Sequence, residues 1–186
     1  ADDCEFVEVE IGDRVEHVAT VTINRPDARN ALNTQLREEL KSVFTVIDDS
    51  DVRVVVLTGA DEAKAFVAGA DVTDLRERDA LAKREASKRP RVYETVANVH
   101  QPVIARLNGH ALGGGSELAL ACDVRIVAPD ATLGFPEHNI GLIPGLGGCS
   151  RFVNLVVSGT ALDLLWSREL FDGERAHDLG VAQRVA

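Results

Sequence analysis

The chain has 186 residues, 45% of them hydrophobic, and a formal net charge of −10, which suits one domain, residues 1–186, that needs no disulfide or metal staple to fold. Its composition excludes collagen-like, disordered and disulfide-scaffold classes, and no window reaches the ~18 consecutive apolar residues of a transmembrane helix, so no membrane partner is expected. Asp and Glu number 30 against 20 Lys and Arg, a poor match for a phosphate backbone, so no nucleic-acid partner is expected either.

From the N-terminus, Glu5 to Ile23 reads as two strands around a Gly12-Asp13 turn, ended by Asn24-Arg25-Pro26. Leu36, Leu40, Val43, Phe44 and Ile47 mark one apolar face of a helix over Thr34 to Asp48, with Asn33 or Thr34 as its cap. Val52 to Leu57 is a short, nearly unbroken apolar strand, a pattern that implies burial on both faces, and Thr58-Gly59 ends it. A long charged region, Asp71 to Asn98, reads as helix kinked or split at Pro90. A second buried strand, Pro102 to Leu107, runs through Asn108-Gly109 into a glycine run, followed by a helix over Gly114 to Ala121 and a strand over Val124 to Ala128. Further helical segments are expected at Gly147 to Ser158, Ala161 to Trp166 and Glu174 to Leu179. Alternating strands and helices predict an α/β core with crossover connections.

Cys4, Cys122 and Cys149 are widely spaced and no two His sit at ligand spacing, so neither a disulfide framework nor a metal site is indicated. Cys122, inside the apolar run ALACDVRIV, reads as a core residue. These features and an acidic, signal-free N-terminus predict a cytoplasmic protein, with Ala1 a processed or trimmed start. The basic set is 16 Arg and 4 Lys, so a salt-adapted surface stands beside the plainer reading of an ordinary solvated one.

The densest chemical feature is Asn108-Gly-His-Ala-Leu-Gly-Gly-Gly-Ser-Glu117. Three glycines between a strand and a helix let a ligand approach the backbone where free N–H groups and the helix dipole favour negative charge; alternatively, they only make a tight turn. The run lacks the Lys of a phosphate-binding loop, the GxGxxG of a dinucleotide site and the GxSxG of a serine hydrolase. Glu117 follows at once, and Glu137 lies in a loop flanked by turn residues. Alone, either is an ordinary surface carboxylate or a helix cap; together beside an anion site they would make acid–base equipment. Lys64-Ala-Phe-Val-Ala-Gly-Ala-Asp71 offers small residues for close backbone approach, with Asp71 a possible helix cap.

These segments together resemble the enoyl-CoA hydratase/isomerase, or crotonase, family. The resemblance runs nearly end to end. It is carried by Asn24-Arg-Pro26 with Asn30-Ala-Leu32, Ala65-Phe-Val-Ala-Gly-Ala-Asp71, Pro102-Val-Ile-Ala-Arg-Leu-Asn-Gly109, Gly113-Gly-Gly-Ser-Glu-Leu-Ala119, Cys122-Asp123, Phe135-Pro-Glu137, and Gly141 with Pro144-Gly-Leu-Gly-Gly148.

The resemblance implies a spiral of repeated ββα units, assembled as a homotrimer or dimer of trimers, acting on an acyl-CoA thioester with no metal and no cofactor beyond the coenzyme A of the substrate. It maps an oxyanion hole onto the backbone N–H groups of Ala70 and Gly114. It makes Glu117 the base toward a water and Glu137 the acid toward the α-carbon, in the hydration of a trans-2-enoyl-CoA. It places Ala28, Ala68, Gly69, Asp71, Val72, Leu112 and Pro136 around the substrate. An isomerase, relying chiefly on one carboxylate, is the second reading. The family's decarboxylases, hydrolases, dehalogenases and synthases, and a non-catalytic acyl-CoA- or RNA-binding relative, follow. The sequence departs from the family at Ser116, at Cys149-Ser150, and after the region of Ala176 to Val185, where relatives continue into a C-terminal helical segment that is expected to be missing here.

Overall fold

Strand β1 (Val7–Ile11) pairs antiparallel with β2 (Val18–Ile23), and from β2 onward one sheet grows by parallel addition of β3 (Val54–Gly59), β5 (Val103–Leu107), β7 (Val124–Val127) and β10 (Arg184–Val185). A second sheet interleaves with it in the chain: β4 (Ala65–Val67), β6 (His110–Leu112) and β8 (Thr132–Gly134) run parallel, and β9 (Phe171–Asp172) closes the edge antiparallel to β8. Each turn of the chain thus gives one strand to each sheet before a helix returns it, which is the expected ββα spiral. The computed structural model describes residues 4–13, 15–77, 81, 84, 88 and 90–186.

The helices follow from local chemistry. In α1 (Thr34–Asp48) the five apolar residues predicted to share a face are all buried, and Asn33 caps the helix, its side chain accepting from the Leu36 N–H at 2.8 Å. The charged stretch from Asp71 contributes α2 (Val72–Glu77) and α3 (Val92–Asn98); the rest of that predicted helix lies largely outside the described residues. All eight residues of α4 (Gly114–Ala121) are buried; it packs between α3 and α5 (Gly148–Leu155) and against β4 and β6. The chain continues through α6 (Ser158–Ser167) and α7 (Gly173–Asp178). Among the described residues no helix is long and apolar enough to cross a membrane.

Several expectations shift. The link between β1 and β2 is longer than a two-residue turn, because Ile11 pairs with Ala19. The strand placed at Val52 begins instead at Val54, in register with Val18 of β2, and it includes Thr58 and Gly59. Its continuous apolarity does not bring burial on both faces: Val55 and Leu57 are buried, Val54 and Val56 only half so. Cys122 is a core residue as read, its thiol pushed up to about 12 by burial. Ser116 is structural, its hydroxyl bonded to the Ala111 carbonyl at 2.6 Å and accepting from the Gly134 N–H at 3.2 Å.

The contact between α4 and β4 depends on the absence of one side chain. A Cβ on Gly115 would overlap the Val67 carbonyl oxygen and lie 2.9 Å from the Val67 Cβ. Backbone meets backbone here, so no side chain can swing away. Gly115→Ala is expected to destabilise the fold by about 3 kcal/mol, a fall of roughly 6–12 °C in melting temperature for a domain of this size, read by thermal denaturation.

Candidate active site

Glu117 stands at the fourth position of α4, 2% exposed. A buried carboxylate requires donors, and two come from the loop before α5: the Leu146 N–H at 2.7 Å and the Gly148 N–H at 2.8 Å, both to Oε1. Glycine at 148 makes this approach possible, since a Cβ there would lie 2.8 Å from Oε1 and 2.7 Å from the Pro144 Cβ. Arg151 fastens the same loop, donating to the Leu146 carbonyl at 3.2 Å and to the Tyr93 carbonyl at 3.5 Å. Burial pushes the Glu117 carboxyl up from 4.5 to about 7; the two amides and Arg151 oppose the shift, and the charge of Glu137 adds to it.

Glu137 lies in a 3₁₀ helix, Pro136–Ile140, that leads out of β8. Among the described residues no other residue hydrogen-bonds its two buried carboxyl oxygens; burial raises its pKa, and its own backbone N–H opposes the shift. Its Oε1 is 3.1 Å from where a Cβ on Gly113 would sit. The two carboxyls therefore converge on the glycine run, close enough for one to act on the other. Cys149 stands under both: burial, then the charges of Glu117 and Glu137, raise its thiol pKa.

Gly114 opens α4, and the position of its absent Cβ is 3.8 Å from the Ala70 nitrogen. Ala70 follows β4 and bridges Leu32. Neither the Ala70 nor the Gly114 N–H donates to another group among the described residues. Two free amides side by side, one at a helix N-terminus, form a place for developing negative charge.

An open cleft of about 670 Å³ reaches Ala70, lined by Arg25, Ala28, Asn33, Asp71, Val72 and their neighbours. Arg25 donates to Asp71 at 2.8 Å. That bond, with those from the Thr73 and Asp74 amides, outweighs the desolvation of Asp71 and holds its carboxyl below the usual range. Asp71 is thus the helix cap expected from the sequence. Of the predicted substrate-lining residues, Ala28, Asp71 and Val72 meet at this cleft. Ala68 and Gly69 lie just before Ala70 and are tied to the segment at residues 29–32, the Ala68 N–H donating to the Arg29 carbonyl and the Gly69 carbonyl accepting from the Leu32 N–H. Leu112 backs Gly69, its carbonyl 3.4 Å from that glycine's absent Cβ, and Pro136 starts the turn that carries Glu137. Among the described residues no three His, Cys, Asp or Glu side chains cluster as metal ligands.

Sequence reasoning passed over Tyr93, Arg151 and the Leu146 and Gly148 amides. The Pro144-Gly-Leu-Gly-Gly148 run was a signal for close backbone approach, but nothing in it named Glu117 as the group approached.

A group that ionises less readily when folded stabilises the protein where it is protonated. The contribution of Glu117 is full below about 4.5 and is lost as pH rises through about 7, a swing of about 3 kcal/mol. The melting temperature of the wild type is expected to fall between about pH 4.5 and 7 from this group, and Glu117→Gln to flatten that fall. Parallel slopes in a thermal-melt series would contradict it.

The family model for enoyl-CoA hydratase/isomerase matches residues 13–186. The chain is 41% identical over 170 residues to a short-chain-enoyl-CoA hydratase of Clostridium acetobutylicum, covering 90% of this chain and 65% of that protein. It is 39% identical over 175 residues to a crotonyl-CoA hydratase of Syntrophomonas wolfei, covering 93% of this chain and 67% of that protein. It superposes on the crystal structure of an enoyl-CoA hydratase from Bacillus anthracis with a TM-score of 0.90 at 37% identity, over 98% of this chain and 70% of that one. The chain belongs to the enoyl-CoA hydratase/isomerase family. It spans about two thirds of the length of these curated relatives.

Proposed function

We propose that this protein adds water across the 2,3 double bond of a trans-2-enoyl-CoA thioester. The observation that carries the reading is the convergence of two buried carboxyls of raised pKa, Glu117 and Glu137, beside the free amides of Ala70 and Gly114. The thioester oxygen is held by those two amides. Glu117, ionised, takes a proton from water as the water oxygen bonds to C3. The C2=C3 electron pair moves toward the thioester, whose oxygen becomes enolate-like and is stabilised by the amides. Glu137, protonated, delivers its proton to C2, and the carbonyl re-forms. The proton gained by Glu117 and the one lost by Glu137 exchange with solvent before the next turnover. Two carboxyls in different protonation states are what this reaction needs, whereas an isomerase needs chiefly one. No metal or redox group enters these steps.

The Glu117 clamp supports its role. Both loop amides bind Oε1, which fixes the carboxyl while Oε2 takes the proton. The cleft at Ala28, Ala70, Asp71 and Val72 is the entry for the coenzyme A portion. Assembly as a homotrimer or dimer of trimers belongs to the same proposal and is supported by the exposed apolar side chains of Ile143, Val157 and Trp166. The test is turnover: purified protein mixed with crotonyl-CoA should remove the absorbance of the conjugated enoyl-thioester. Persistence of that absorbance at high enzyme concentration overturns the reading.

A further inference from the structure

Tyr93 is the only tyrosine in the chain and is 1% exposed. It lies in the first turn of α3 between Val92 and Glu94, and its ring is held among the residues that join α3 to α1 and α4. Its hydroxyl is buried and its hydrogen has no acceptor among the described residues; the Arg37 guanidinium lies near enough to its oxygen to donate to it. Buried hydroxyls are normally satisfied, and an unsatisfied one costs stability. A tyrosine kept in this state despite that cost fits a ligand that completes it.

The surroundings identify the ligand atom. The Tyr93 oxygen is 3.1 Å from where a Cβ on Gly114 would lie, and the Ala70 nitrogen is 3.8 Å from that same point. The hydroxyl therefore borders the place where the two free amides meet. Burial raises the phenol pKa and the charge of Glu117 raises it further, while Arg37, through its charge and a hydrogen bond to the phenol oxygen, and the charge of Arg91 oppose the shift. The net effect keeps the group protonated, so it has a hydrogen to donate. Glu137, the other charged group converging here, sits over Gly113, the residue before Gly114. An atom held by the Ala70 and Gly114 amides must be an acceptor, and in an acyl thioester it gains negative charge during reaction.

We propose that the Tyr93 hydroxyl is a third donor to the substrate's thioester oxygen, beside the amides of Ala70 and Gly114. This rests on the hydratase reading above. It makes Tyr93 a catalytic residue, and it sets stability against activity at one oxygen atom. Without substrate the hydroxyl is a burden on the fold; with substrate it bonds most strongly when the oxygen carries most charge.

The test compares wild type with Tyr93→Phe, which removes the hydroxyl and keeps the ring. The expected result is a kcat/KM for crotonyl-CoA lowered about tenfold, with a melting temperature equal to or above that of the wild type. The infrared carbonyl stretch of bound, carbonyl-labelled crotonyl-CoA should move back toward its value in solution. An unchanged rate and carbonyl frequency overturns the proposal. So does a slower variant that also melts several degrees lower, because the hydroxyl would then have had a partner in the protein. If the wild type binds crotonyl-CoA without hydrating it, the hydratase reading fails and the carbonyl shift still decides the role of Tyr93. Absence of a bound carbonyl signal overturns both.

Discussion

Glu117→Gln is expected to slow the hydration of crotonyl-CoA by roughly 10²–10⁴-fold, the range for loss of a general base. Glutamine keeps the carbonyl oxygen that accepts from the Leu146 and Gly148 amides, so the loop before α5 has no reason to move. It cannot take a proton from water at any accessible pH. The effect should fall on kcat, with the affinity for crotonyl-CoA little changed. In the wild type the base must be ionised, so kcat/KM should climb with pH through about 7, the raised pKa of Glu117. In the glutamine variant that acidic limb should be absent. A variant of wild-type rate would remove Glu117 from the chemistry.

Glu137→Gln is expected to cost activity on the same scale, roughly 10²–10⁴-fold, for the opposite reason. Burial raises the pKa of its carboxyl, the direction that an acid requires. An amide in its place offers a hydrogen bond but no transferable proton. The rate of crotonyl-CoA hydration by the purified variant checks this, and a variant of wild-type rate would remove Glu137 from the chemistry.

The parts of the fold legible in the sequence were those with strong periodicity or continuous apolar runs. Helix α1 could be read to the residue, because five apolar side chains and the Asn33 cap agree. Strand β5 was legible for a related reason: its valine, isoleucine and leucine run is bounded by proline and by Asn-Gly. The second sheet was not legible residue by residue. Strands β4, β6 and β8 have three residues each and β9 only two, too short to display a period. Their place came only from the family resemblance.

The site divides in the same way. The glycine run and its two glutamates stand out as residue types in unusual company. What holds the Glu117 carboxyl is contributed 29 and 31 residues further on, by backbone amides rather than by side chains. Spacing cannot encode such a bond, because the loop before α5 reaches α4 only through the packing of α5 on α4. Tyr93 was invisible for another reason. One aromatic residue in a helix of apolar neighbours reads as core, and its burial bears that out; only the hydroxyl beside Gly114, its hydrogen without an acceptor among the described residues, sets it apart.

The two-carboxylate hydration is tested most directly by turnover of crotonyl-CoA in ¹⁸O-labelled water, with mass analysis of the product. Hydration predicts one ¹⁸O at C3 of the hydroxyacyl product, and near-complete suppression of that label in both Glu117→Gln and Glu137→Gln. Consumption of crotonyl-CoA with label in the carboxylate, or with none at C3, would contradict it.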